Sequence, residues 1–103
     1  MMNADSWPFD QPRDCAVVVT REVLERRQPI LHVTHDSDDH GWQFIGSSDA
    51  TSENGSVIAL HEVVELDPSV LQLADLPVGW RAVRDTIAHP WKRETIDDAS
   101  QTI

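Results

Sequence analysis

The sequence is poor in the residues that build disulfide-stapled, phosphate-binding or membrane-spanning structures. Cys15 is the only cysteine, so no disulfide can form within the chain, a pattern typical of a reducing compartment. The four glycines form no glycine-rich run, which argues against a phosphate-binding loop. No apolar run approaches the roughly 18 residues of a membrane span, and the polar, acidic start is unlike a signal peptide. We therefore expect a soluble cytoplasmic protein.

Basic residues are also scarce. Eight lysines and arginines stand against eighteen carboxylates, giving a formal net charge of −10, which argues against binding nucleic acid through its phosphates. No lysine or arginine lies between Gln28 and Trp80, and that span holds nine carboxylates. They are Asp36, Asp38, Asp39, Asp49, Glu53, Glu62, Glu65, Asp67 and Asp75. The middle of the fold should carry a negative surface, unless folding brings the flanking arginines over these acids.

The length and composition predict a single domain. A chain of 103 residues with 40% hydrophobic content can bury one core but not two. We expect a flexible amino-terminal arm over residues 1–13, the domain over residues 14–94, and a disordered tail over residues 95–103.

A hairpin over residues 29–46 is the strongest structural prediction. β-Branched and aromatic residues flank an acidic turn over residues 36–41, which is the pattern of two antiparallel strands. We expect this hairpin at the centre of a sheet, with Gly41 supplying the positive φ that the turn needs.

The remaining elements are short. Before the hairpin, we predict a strand over residues 15–19 that is buried on both faces and a helix over residues 21–27 that is capped by Thr20. After it, we predict a strand over residues 57–60, a helical turn over residues 61–65 and a helix opened by Asp67 and Pro68. A last strand is predicted over residues 78–84. The sum is an α+β fold: one small domain with an antiparallel or mixed sheet of four to five strands and short helices packed on one face.

The hairpin also carries a group of residues able to bind a metal, namely His32, His35, Asp36, Asp38, Asp39 and His40. Alternation along a strand places His32 and His35 on opposite faces. A calcium loop starting at Asp36 would have His40 at its fifth position, where an oxygen ligand is required, and Ser47 at its twelfth, where a bidentate acid is required. We therefore predict a solvated acidic turn, with no metal and no cofactor.

No nucleophile lies within a recognisable catalytic motif, and a cysteine that opens an apolar strand is usually buried and inert. We expect a noncatalytic protein. Four tryptophans are present without any tyrosine. Trp42 and Trp80 fall on predicted strands and should be core, whereas Trp7 and Trp91 either pack the termini onto the domain or anchor an interface, and packing is favoured.

The order of these elements resembles the immunity protein 33-like family, small bacterial domains of unknown function associated with polymorphic toxin systems. The resemblance covers residues 14–84. It rests on CAVV at residues 15–18, DHGWQF at residues 39–44, LDP at residues 66–68 and LPVG at residues 76–79. The sequence departs from the family pattern at His40, where serine is expected, and after Ile45. The resemblance implies a noncatalytic protein that binds and neutralises a toxin.

Two main functional hypotheses follow, and a third, weaker one is a hydrolase that sequence motifs do not reveal. The first is a protein-binding module whose acidic surface binds a basic protein partner and which binds neither nucleic acid nor a membrane. Its predicted partner-binding residues are Asp36, Asp38, Asp39, Asp49 and Glu53. The alternative is a small metal- or ligand-responsive domain that uses the histidines and aspartates of residues 32–40. A simpler explanation for the same acids is that their net negative charge keeps a small protein soluble.

Overall fold

The structure is a computed structural model that describes residues 7–37, 40–46 and 55–96. These residues form six strands and three short helices. The strands are β1 (Ala16–Thr20), β2 (His32–His35), β3 (Trp42–Ile45), β4 (Gly55–Ala59), β5 (Trp80–Val83) and β6 (Lys92–Thr95). The helices are α1 (Arg21–Leu24), α2 (Leu60–Leu66) and a 3₁₀ helix (Pro68–Leu73). No described helix is long and apolar enough to cross a membrane.

The strands build one mixed sheet in the order β4-β1-β3-β2-β5-β6. β1 and β3 are parallel, and the other four pairings are antiparallel. The predicted hairpin is confirmed as β2 and β3, with Val33 opposite Phe44, and it occupies the centre of the sheet. The α+β class is confirmed, but the expected four to five strands are wrong, because the sheet has six. The missed strand is β6, whose sequence KRET has no apolar alternation.

One face of the sheet carries the core. Val17, Val19, Val33, Phe44 and Ala82 alternate toward that face and are almost fully buried. Buried helix residues join the same cluster, including Val23, Leu60, Val63, Val70 and Leu73. The prediction that β1 is buried on both faces is wrong, since Val18 is half-buried and Ala16 is exposed. The helices and the core thus lie on one side of the sheet.

Two helix caps are predicted from the sequence, Thr20 and Asp67, and one forms as expected. Asp67 accepts a hydrogen bond from the Ser69 backbone N–H at 3.0 Å, with Pro68 as the first residue of the 3₁₀ helix. Thr20 precedes α1, but its hydroxyl accepts the N–H of Gly46 at 3.1 Å and caps nothing in the helix. α1 ends at Leu24, three residues short of the predicted end.

The described part of the amino-terminal segment packs on the core. Phe9 is only 5% exposed and meets the Trp42 ring edge-on at 5.4 Å. Trp42 Nε1 donates to Gln11 Oε1 at 3.0 Å, which ties the segment to β3. Trp7 and Trp91 both pack against the core, as favoured from the sequence.

Candidate functional site

The acidic turn lies at one end of the central hairpin. The Asp36 backbone N–H donates to the Gly41 carbonyl at 2.8 Å, which closes the turn. The Asp36 carboxylate accepts from Gln43 Nε2 at 2.8 Å and is thereby held in place. Of the five predicted partner-binding residues, only Asp36 is described. Asp38, Asp39, Asp49 and Glu53 lie outside the described residues.

The positive φ of the turn falls one residue earlier than predicted. His40 has a φ of 60°, whereas Gly41 is not in the left-handed region. Gly41 accepts the hydrogen bond that closes the turn and directly precedes the His35–Trp42 pair, and the left-handed residue lies before it, at His40. Histidine is among the residues that enter the left-handed region more readily. His40 is exposed there.

The two strand histidines point to opposite faces, as alternation predicts. His35 is buried against Trp42, with ring centroids 4.0 Å apart, and its Nδ1 lies 2.8 Å from the Leu76 carbonyl. Because a carbonyl oxygen only accepts, Nδ1 carries the proton, and Nε2 is buried without a partner among the described residues. Within the described ranges, no three histidine, cysteine or carboxylate side chains come together around a metal-sized space.

His32, on the other face, is half-buried beside an ion pair. Burial lowers the pKa of His32 below its usual value of 6.5, and the Arg81 guanidinium lowers that pKa further. The Glu94 carboxylate acts in the opposite direction and is 2.6 Å from Arg81. His32 is therefore biased toward the neutral form.

Next to the acidic turn is an open cleft of about 440 Å³, which we call the hairpin cleft. It is lined by Asp36, Ser37, Val78, Gly79, Trp80, Thr95 and Ile96. The apolar part includes Val78, which is 39% exposed, and the half-buried Trp80. Asp36 is the one charged residue of this lining.

Gly79 fixes the shape of the hairpin cleft. Its φ of 86° lies in a region that other residues rarely adopt. Its N–H donates to the His35 carbonyl at 2.7 Å, and its own carbonyl accepts from the Ile96 N–H at 2.9 Å. One glycine thus joins the ends of β2, β5 and β6 at the cleft.

The flanking arginines pair with only some of the acids between Gln28 and Trp80, the span without lysine or arginine. Arg84 pairs with Asp67 at 2.8 Å, and Arg93 pairs with Asp75 at 2.8 Å. Arg81 and Arg27 pair instead with glutamates outside that span. Among the described residues, no cation pairs with Asp36, so the hairpin cleft keeps its negative charge.

Comparison with known protein families, curated proteins and solved structures found no match. Sequence reasoning identified Asp36 but missed Val78 and Ile96, which lie in different segments and meet only through the pairing of β5 with β6. The available signal was the LPVG segment, whose proline and glycine mark a turn that exposes the valine between them.

Proposed function

We propose that this protein is a noncatalytic binding module whose hairpin cleft receives a basic side chain of a partner protein. The observation that supports this most is the position of Asp36. Its carboxylate is held by Gln43 at the rim of a cleft that also contains Val78 and Trp80. Lysine and arginine have long apolar stems and charged ends, so they match an apolar wall beside a carboxylate.

Charge beyond the cleft favours the same kind of partner. The chain carries a net charge of −10, and two more aspartates, Asp38 and Asp39, follow Asp36 in the sequence. A field of one sign speeds the encounter with an oppositely charged protein and disfavours like-charged ones. Tryptophan is also enriched among residues that dominate binding energy at interfaces, which supports a central role for Trp80.

The resemblance to immunity proteins suggests what the partner is. An immunity protein covers a toxin, and the cationic active site of a nuclease-type toxin would present the basic side chains that the hairpin cleft suits. We therefore propose a basic toxin, encoded next to this protein, as the partner.

Co-expression with the product of the adjacent gene tests the proposal. We expect a complex that weakens as salt rises, because exposed charges are screened. Asp36→Asn removes the charge while an amide oxygen can still accept from Gln43, and it should slow association about tenfold. Asp85→Asn is the matched control, since Asp85 is exposed and lies outside the hairpin cleft. Equal association rates for the two variants, or no complex, would contradict the proposal.

A further inference from the structure

A second cleft lies at the opposite end of β2 and β5 from the hairpin cleft, and we call it the arginine cleft. It measures about 500 Å³ and is bounded by the turn after α1 (residues 26–30), the junction of α2 with the 3₁₀ helix, and the segment after β5. Three of the eight basic residues of this acidic chain line it, namely Arg26, Arg27 and Arg84. Such a concentration of cations needs an explanation.

Two of the three arginines are already engaged. Arg84 is buried and donates to the Ile30 carbonyl, to Ser69 and to Asp67. Arg27 pairs with Glu25 at 2.8 Å. Arg26 is different, because it is exposed and its side chain makes no hydrogen bond or ion pair with any described residue. Its guanidinium is available to a ligand in the arginine cleft.

The backbone of Arg26 supports this role. Its φ is 64°, and its N–H donates to the Val23 carbonyl at 2.9 Å while the Arg27 N–H donates to the Glu22 carbonyl at 2.8 Å. This pair of bonds ends a helix with a left-handed residue, a position that glycine usually occupies because a Cβ is strained there. The chain thus places a strained arginine where glycine would be more stable, at the rim of a cleft.

The walls of the cleft restrict the ligand. Ile87 is 67% exposed, Pro29 is exposed and Leu66 is half-buried, so the cleft has an apolar wall. A small inorganic anion would leave this surface in water. A dianion such as phosphate would also carry more negative charge than one free arginine balances. Within the Arg27–Glu25 and Arg84–Asp67 ion pairs the charges balance, so Arg26 carries the one uncompensated charge of the cleft lining.

From these observations we propose that the arginine cleft binds a monocarboxylate that carries an apolar chain. Arg26 pairs with the carboxylate through two parallel hydrogen bonds, the geometry that guanidinium favours. The apolar chain lies against Ile87 and Leu66. The cleft volume is within the range of small-ligand sites. The same chemistry is presented by a free medium-chain acid and by the carboxyl terminus of a peptide that ends in an apolar residue.

Titration of the full chain with octanoate, followed by calorimetry and by NMR, tests the site. We expect octanoate to bind and to shift the Ile87 and Arg26 signals. Acetate, which lacks the apolar chain, and octanamide, which lacks the charge, should both bind at least about tenfold more weakly. An acetylated tetrapeptide ending in leucine, compared with its carboxamide, distinguishes a peptide terminus from a free acid. Binding of acetate as tightly as octanoate, or no binding of either carboxylate probe, would overturn the proposal.

Variants of Arg26 separate ligand binding from structure. Arg26→Gly should raise the melting temperature by about 4 °C, because glycine relieves the left-handed strain, and it should weaken octanoate at least about tenfold. Arg26→Lys keeps the charge but not the paired geometry and should have an intermediate affinity. Arg21→Ala removes an exposed arginine of α1 outside the cleft and should bind octanoate as the parent does. Unchanged octanoate affinity in Arg26→Gly would refute the assignment.

Discussion

The guanidinium of Arg84 and the carboxylate of Asp67 lie 2.8 Å apart in a largely buried ion pair. Arg84 follows β5 and also donates twice to the Ile30 carbonyl, at 3.0 and 2.8 Å, while its guanidinium lies 4.1 Å from the Trp91 ring. Asp67 is the N-cap of the 3₁₀ helix. The pair therefore joins the sheet to the helices, and both of its residues line the arginine cleft.

Replacing Asp67 by alanine should destabilise the fold by about 3 kcal/mol, because it leaves Arg84 buried without its counter-charge and removes the cap of the 3₁₀ helix. Urea denaturation measures the loss. Asp75→Ala is the control, since Asp75 is 80% exposed in its pair with Arg93 and exposed pairs contribute little. The ion pair is not structural if both variants unfold at the same urea concentration.

Stability should fall below pH 6.5 because of His32. Burial and then Arg81 lower the pKa of His32 below its value of 6.5 in an unfolded chain. Between the folded and unfolded values, the unfolded chain binds more protons, so the free energy of unfolding decreases as the pH falls through that window. At a pH below the pKa of His32 in the folded state, the loss of unfolding free energy is complete and no longer changes with pH. Above about pH 7 there is no such loss.

Urea midpoints at pH 7.5 and pH 5 measure this effect. The midpoint should be lower at pH 5, and His32→Gln, which cannot titrate, should reduce the difference. His89→Gln changes an exposed histidine and should keep the dependence of the parent. A full pH dependence in His32→Gln would show that other groups cause it.

Phe9→Ala should cost about 3 kcal/mol of stability, because it empties a buried site beside Trp42. Asp10→Ala, at the neighbouring exposed position, should leave the urea midpoint within experimental error. This comparison tests whether the segment before β1 belongs to the cooperative fold. Equal midpoints would mean that the segment is dispensable.

The hairpin could be predicted from the sequence because its information is local. Val33 and Phe44 alternate with polar residues on both sides of a turn, and that pattern alone determines pairing and face. β6 could not be predicted in this way. Three of its four residues are charged, and Glu94 enters a strand because it lies opposite Arg81 on β5. Strand formation at this edge comes from a partner that is distant in sequence.

The candidate sites also combine residues that a local pattern predicts with residues that only folding brings together. Asp36 was predictable from turn composition, but the cleft beside it needs Val78 and Ile96 to converge. Arg26 was predicted as part of a longer helix, since no glycine marks the end of α1. The left-handed backbone that distinguishes it is set by hydrogen bonds to Val23 and Glu22, which composition does not reveal.

The most direct test of the proposed function is an NMR map of the complex with the adjacent gene product. We expect the Trp80 indole and the Val78 and Gly79 amides to shift on binding, while the signals of Arg26 and Ile87, at the opposite end of β2 and β5, stay unchanged. Shifts confined to Arg26 and Ile87, with none at the hairpin cleft, would contradict the account.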